Sequence, residues 1–217
     1  MSTPTITATP PKKPGGIVTN PSPRQKKIQN KATTTVSSLS NCTQPRKALL
    51  IGNNYPNESS KLPSCVNDMN AMHDVLSSKC GFESSSNPNL EYMNMQTRIS
   101  EFGDSLNDGD VALFYFSGHG LMYDGVLFLC PCNMQPLNKA SDISRYCVSM
   151  HDIQESLFSG CGEKGIKIMI IDACRSRSFE AVRTKSYGAA KSQNFAQIQK
   201  LPESANSIVI YATAEAT

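Results

Sequence analysis

The sequence predicts an α/β fold: a mostly parallel sheet with helices on both faces. Three observations predict it. "IKIMII" (166–171) holds four Ile and one Met among six residues, and "VALFYF" (111–116) is apolar throughout, as strands buried on both faces are. Between such runs lie segments with apolar residues three and four apart, the spacing of an amphipathic helix. Gly, Asn and Asp punctuate the boundaries, and strands that alternate with helices need crossover connections, which build parallel sheets.

The elements follow in order. "KALLIG" (47–52) is a short apolar strand ending in Gly. "SCVNDMNAMHDVLSSKCGF" (64–82) places Met69, Met72 and Leu76 at helical spacing, with Ser64 as N-cap and Gly81 as C-terminal stop. "NLEYMN" (89–94) reads as a weak strand, and "QTRISEFGDSL" (96–106) sets Ile99, Phe102 and Leu106 on one helical face. The turn "NDGD" (107–110) leads into "VALFYFSGHG" (111–120). "DGVLFLCPC" (124–132) is a further short strand that suits a hairpin. "SMHDIQESLFSG" (149–160) carries Ile153 and Leu157 four apart, Ser149 in front and Gly160 behind. "IKIMII", a loop of more than thirty residues and "SIVIYAT" (207–213) complete the pattern, with no internal repeat.

Bulk composition narrows the function. The 217 residues suit one domain with an appendage. Residues 1–45 are rich in Ser, Thr, Pro and Lys, with six Pro among the first 23, and such a segment buries too little apolar surface to order itself. We expect disorder there and a folded domain over 46–217. The Pro density also defeats the amphipathic helix of an organelle-targeting peptide. Residues 1–57 hold eight basic and no acidic residues; the rest holds 13 basic against 18 acidic, so only the tail is basic. A nucleic-acid partner therefore has no general electrostatic footprint. No apolar run is long enough to span a membrane. The eight Cys include no CxxC pair and no His-Cys array with zinc spacing, which points to a reducing, cytoplasmic setting with most thiols as small buried hydrophobes.

Two strand ends carry reactive groups. "VALFYF" runs into Ser117-Gly118-His119-Gly120, and "IKIMII" into Asp172-Ala173-Cys174. Open parallel sheets bind ligands beyond the carboxyl ends of their strands. If the two strands are neighbours, a thiol and an imidazole meet at one rim, where the imidazole promotes thiolate attack and later protonates a leaving amine. The glycines around His119 allow close backbone approach, and the Gly120 and Cys174 amides can hold an oxyanion. A lone Cys at a strand end is usually packing, and a His beside Gly is often a turn residue; the pair behind two buried strands is what favours catalysis. His73 and His151 sit inside helical patterns and read as surface or core-edge residues.

These residues resemble the caspase-like cysteine peptidases: caspases, metacaspases and paracaspases. The matching pieces are "KALLIGNNY", "LPSCVNDMNAM", "VALFYFSGHG", "IKIMIIDACRSRSF" and "SIVIYAT", in the family's order over residues 47–213. The resemblance implies a caspase-like three-layer sandwich with a mostly parallel sheet, a catalytic dyad of His119 and Cys174, and an oxyanion hole of the Gly120 and Cys174 amides. It implies that Asp68, Asp172, Ser117 and Cys65 line the pocket for the residue before the scissile bond. Two carboxylates there select Arg or Lys, so the expected activity is cleavage of proteins or peptides after Arg or Lys, not Asp. Asp-Ala-Cys-Arg-Ser resembles paracaspases, whereas the "LPSCVNDMNAM" helix is metacaspase-like.

The departures also carry expectations. Residues 121–152 offer only scattered acids, Asp124, Asp142 and Asp152, so no calcium or other metal and no cofactor is expected to be required. The chain stops at "YATAEAT", where relatives continue through the rest of the substrate groove and, in some, the dimer contact. A fragment, a short paralogue and the large piece of a cut precursor are all compatible with that, and a homodimer is expected only if the missing part is supplied. The loop 175–206 lies where caspases are cut and contains Arg177, Arg183, Lys185, Lys191 and Lys200, so self-processing and a plain basic surface loop both fit. The rival function is a catalytically impaired homologue acting as scaffold or regulator through the tail or an exposed sheet edge.

Overall fold

The computed structural model describes residues 44–57, 61–174 and 206–212. The chain divides into two units, Met1–Asn41 and Cys42–Thr217, and the described residues all belong to the second. The expectations for the N-terminal tail, the 175–205 loop, the Cys174 side chain and the residues after 212 lie outside the described residues.

The fold is α/β, as the buried runs predicted. Strands β1 (Arg46–Gly52), β2 (Glu83–Pro88), β3 (Val111–Tyr123), β6 (Ile166–Cys174) and β7 (Ser207–Tyr211) form a parallel sheet in the order β2-β1-β3-β6-β7. Its helices alternate with them: α1 (Cys65–Lys79), α2 (Tyr92–Ser105), the short α3 (Ser141–Tyr146) and α4 (Met150–Cys161). Strands β4 (Val126–Leu129) and β5 (Val148–Ser149) add a small antiparallel extension to the end of β3. The β3–β4 connection is the expected hairpin, with Asp124 and Gly125 both at positive φ.

The two faces of each strand feed different cores. Leu49 and Ile51 of β1 and Phe114 and Phe116 of β3 pack with Met95 and Ile99 of α2 and Ile153 and Leu157 of α4. Leu50 of β1 and Leu113 and Tyr115 of β3 pack with Met69 and Leu76 of α1. Helices thus cover both sheet faces, and a strand buried on both needs the unbroken apolar run that the sequence supplies.

Three local expectations are corrected. The strand preceding α2 is "ESSSNP" (83–88), and "NLEYMN" leads into and begins α2. β2 lies at the sheet's border, largely exposed, so its pairing with β1 requires backbone groups but no apolar run. Ser64 makes no side-chain cap on α1; the amide of Val66 is met instead by Asn54 Oδ1 at 2.9 Å. Gly160 stands inside α4, against the Gly103 carbonyl of α2, and the glycine that closes the helix is Gly162, at φ 65°. Helix α3 had no counterpart in the sequence reading; it is a turn and a half built around Asp142, whose carboxylate accepts from the Asn138 and Lys139 amides. Ser149 does cap α4, accepting from Asp152 N at 3.1 Å.

Candidate active site

β3 is the strand on which the candidate residues converge. Along Arg46–Gly52 its neighbour is β1, and Asn53 N extends that pairing to the Ser117 carbonyl at 3.0 Å. Beyond Ser117 the same side passes to β4, which pairs antiparallel with Gly120–Tyr123. The opposite side pairs with β6 along Val111–His119. His119 therefore stands where β3 exchanges one neighbour for another.

The β3–β6 register sets Ser117 opposite Asp172, Gly118 opposite Ala173 and His119 opposite Cys174. The parallel pairing of the two strands ends there, on the carboxyl side. His119 is 7% exposed. Its carbonyl accepts from Cys130 N at 2.9 Å, and its amide donates to the Tyr55 hydroxyl at 2.7 Å. That hydroxyl in turn donates to the Cys130 carbonyl at 2.8 Å. The Tyr55 and His119 rings lie 4.3 Å apart between centroids, tilted by 43°.

The segment after β1, Asn53-Asn54-Tyr55, ties the surroundings together. Asn53 Oδ1 accepts from Leu90 N at 2.9 Å and its Nδ2 donates to the Cys130 carbonyl at 3.2 Å. Asn54 caps α1 through Val66 N and takes a bond from Leu62 N on its carbonyl. Gly52 permits the close approach of α1: a Cβ there would come within 2.6 Å of the Cys65 carbonyl and 2.9 Å of Met69 Cβ. Without that gap the first turn of α1, which carries Cys65 and Asp68, would stand off from the end of the sheet.

Cys65, Asp68, Ser117 and Asp172 share one neighbourhood. Burial pushes the Asp172 carboxyl above the usual carboxylate range, and the negative charge of Asp68 adds to the rise. Burial pushes the Cys65 thiol up, the Ser117 hydroxyl pulls it down, and Asp172 and Asp68 push it up again. Tyr115 belongs to the same cluster: burial and the two carboxylates outweigh the Ser117 hydroxyl and push its phenol up to about 12. Cys65 and Ser117 are buried, Asp172 is half-buried and Asp68 is exposed, so the cluster runs from the interior to solvent. A carboxylate whose ionisation is opposed by burial and by the neighbouring charge of Asp68 makes a site complementary to a cation.

The caspase-domain family model matches residues 45–217. The chain belongs to the caspase-domain family. Metacaspase-4 of Arabidopsis thaliana is 34% identical over 87 residues, 35% of this chain and 20% of that protein. Metacaspase-7 of the same plant is 36% identical over 87 residues, 35% of this chain and 21% of that protein. Metacaspase-1 of Schizosaccharomyces pombe is 32% identical over 92 residues, 37% of this chain and 22% of its own length. The matched stretch thus spans about a fifth of the length of each metacaspase.

Within the caspase-domain core, sequence reading missed Asn53, Asn54, Tyr55 and Tyr115. "GNNY" did carry a signal, since three polar-tipped residues follow a strand's carboxyl end, where ligands bind. The Cys130 and His119 partners of Asn53 and Tyr55 lie 64 to 77 residues away, and only the register reveals them.

Proposed function

We propose that the chain is a cysteine endopeptidase that cleaves proteins or peptides after Arg or Lys, with Cys174 as nucleophile and His119 as its acid–base partner. The observation that carries this reading is the register: His119 and Cys174 are directly paired positions at the carboxyl end of the parallel β3–β6 pairing. The cluster beside this pair, Ser117 and Asp172 two residues back on the two strands with Cys65 and Asp68 of α1, supports the specificity. An Arg or Lys side chain entering between Asp172 and Asp68 relieves their repulsion and exchanges water for charge-assisted hydrogen bonds. Ser117 and Cys65 form the inner wall, and no metal or cofactor takes part.

The chemistry then runs as acyl transfer. His119 takes the thiol proton, and the thiolate attacks the carbonyl carbon after the basic residue. The oxyanion is held by the Cys174 and Gly120 amides. Ladder alternation favours the second donor: His119 directs its amide and carbonyl to the β1/β4 side, so the next residue, Gly120, directs its amide to the β6 side. The C–N bond breaks as His119 returns the proton to the leaving amine. Water, deprotonated by His119, hydrolyses the thioester and restores the thiol.

An acyloxymethylketone probe built on Arg, applied to the wild type and to Cys174→Ala, tests the nucleophile: labelling of the wild type alone is expected, and equal labelling of both overturns it. Fluorogenic peptides ending in Arg, Lys and Asp test the pocket; faster turnover of the Asp peptide overturns the specificity. The same reading makes the basic residues of 175–206 substrates for the enzyme itself. Mass spectrometry should find cuts after those residues in the wild type and none in Cys174→Ala.

One observation favours a second reading, a scaffold or regulator. Ile208 and Ile210 of β7 are 53% and 47% exposed, a surface suited to a partner or to a second copy of the chain. Absence of labelling at Cys174 in the wild type would give that reading precedence.

A further inference from the structure

We propose that Tyr55 is a positioning residue for His119: its hydroxyl is built into the backbone ladder at the pair that carries the imidazole, and its ring packs against that imidazole. This deepens the peptidase reading and rests on it for the role of His119. In an antiparallel ladder a hydrogen-bonded pair exchanges two N–H···O bonds. At His119 and Cys130 one of these is direct, Cys130 N to the His119 carbonyl. The reciprocal connection runs through the phenol: His119 N–H to Tyr55 Oη at 2.7 Å, and Tyr55 O–H to the Cys130 carbonyl at 2.8 Å.

Three further features serve that one hydroxyl. Tyr55 has φ 54°, a left-handed conformation that a bulky residue adopts only when its surroundings impose it. Its side chain is 0% exposed. Gly118 leaves the space that the hydroxyl needs: a Cβ there would come within 2.7 Å of Tyr55 Oη and 2.7 Å of Phe116 Cζ. The relay also requires a neutral phenol, which both accepts and donates, and burial holds the Tyr55 proton well above its ordinary range. A residue that only filled space could be Phe. The hydroxyl instead fixes the backbone of His119 where β3 exchanges partners, and the ring restricts the imidazole from the side. The distance from the imidazole to a reacting group at the β6 end depends on both, and misplacement by about 1 Å lowers rates by roughly a hundredfold.

The test uses Tyr55→Phe in the whole chain, read in two ways. The protein has three histidines, so 15N-labelled imidazoles give three assignable spin systems. The expected result is that the His119 resonances shift and broaden while those of His73 and His151 stay in place, and that kcat on the Arg peptide falls about tenfold with KM within twofold. Unchanged His119 resonances with kcat within twofold of wild type overturn the proposal. So does an equal change at all three histidines with a lowered Tm, because the hydroxyl would then hold the fold in general. If Tyr55→Phe does not fold, Gly118→Ala crowds the same hydroxyl and is read by the same measurements: a change confined to His119 supports the positioning role, and either no change or an equal change at all three histidines overturns it. Failure of the peptidase reading appears separately, as wild-type protein that the Arg probe does not label at Cys174; the histidine resonances still decide whether Tyr55 positions His119.

Discussion

A carboxylate that loses water on folding costs stability, and Asp172 is such a group. Its pKa is raised first by burial and then by Asp68, so the folded state binds its proton more tightly than the unfolded state does. Stability therefore falls as pH rises from the unfolded value through the raised folded one, and the cost persists at neutral pH. Asp172→Asn should raise Tm at pH 7 by a small amount, on the order of 1 °C, and the gain should vanish in a melt below about pH 4, where both states are protonated. The same change should lower kcat/KM for the Arg peptide by roughly a hundredfold, because it removes one partner of a desolvated ion pair. Loss of activity with no stability gain at pH 7 would mean that Asp172 is not held at a cost. Asp172 stood out in the sequence, since a charged group after a buried strand is conspicuous, and Asp68 was named through the resemblance to the caspase-like peptidases. Tyr55 could not, because what singles it out is a hydrogen bond to a backbone amide 64 positions away.

Among the elements, the junction of α4 with β6 hides a charge inside an apolar run. Lys167 is 1% exposed within "IKIMII". Its ammonium donates to the carbonyls of Gly162 and Gly165, just past the end of α4, and stands 4.8 Å from the centre of the Phe158 ring. These carbonyls lie at the partly negative end of the helix, and the ring face adds to the attraction, so the buried charge is fully partnered. Lys167→Met should cost about 1–3 kcal/mol by leaving those carbonyls without a donor, a fall in Tm of roughly 2–4 °C per kcal/mol. Activity on the Arg peptide should stay within twofold, since Lys167 pairs with Ala112 at the opposite end of β3 from His119. A thermal melt beside a kinetic assay checks both. Periodicity placed β6 correctly because one Lys among five apolar residues does not disturb the pattern. It missed β2, a border strand of Ser and Asn whose register is set by β1 backbone groups and not by burial.

At the scale of the molecule, α1 packs against β2, β1 and β3 on its sheet face, whereas the β7 border exposes Ile208 and Ile210. Ile168 and Ile170 of β6 are half-buried, and their register partners Ile208 and Ile210 on β7 are exposed. A row of Ile beside an outer strand favours association with other chains. Replacing both Ile208 and Ile210 by Lys should lower self-association in sedimentation velocity at matched concentration without changing Tm by more than a few degrees. An unchanged sedimentation profile would show that this surface does not drive assembly.

The sequence by itself determined the apolar strands and the longer helices, though not β2 or α3, which strand ends carry a thiol, an imidazole and a carboxylate, and which family these pieces resemble. These are local properties: period, punctuation and residue chemistry. Only the tertiary structure decided that His119 is paired with Cys174, that Asn54 caps a helix starting eleven residues later, that Asp68 acts on Asp172, and that a phenol completes the backbone ladder beside the imidazole. Each of these depends on strand order and register, which follow from burying two faces of one sheet at once, and no stretch of letters encodes that alone.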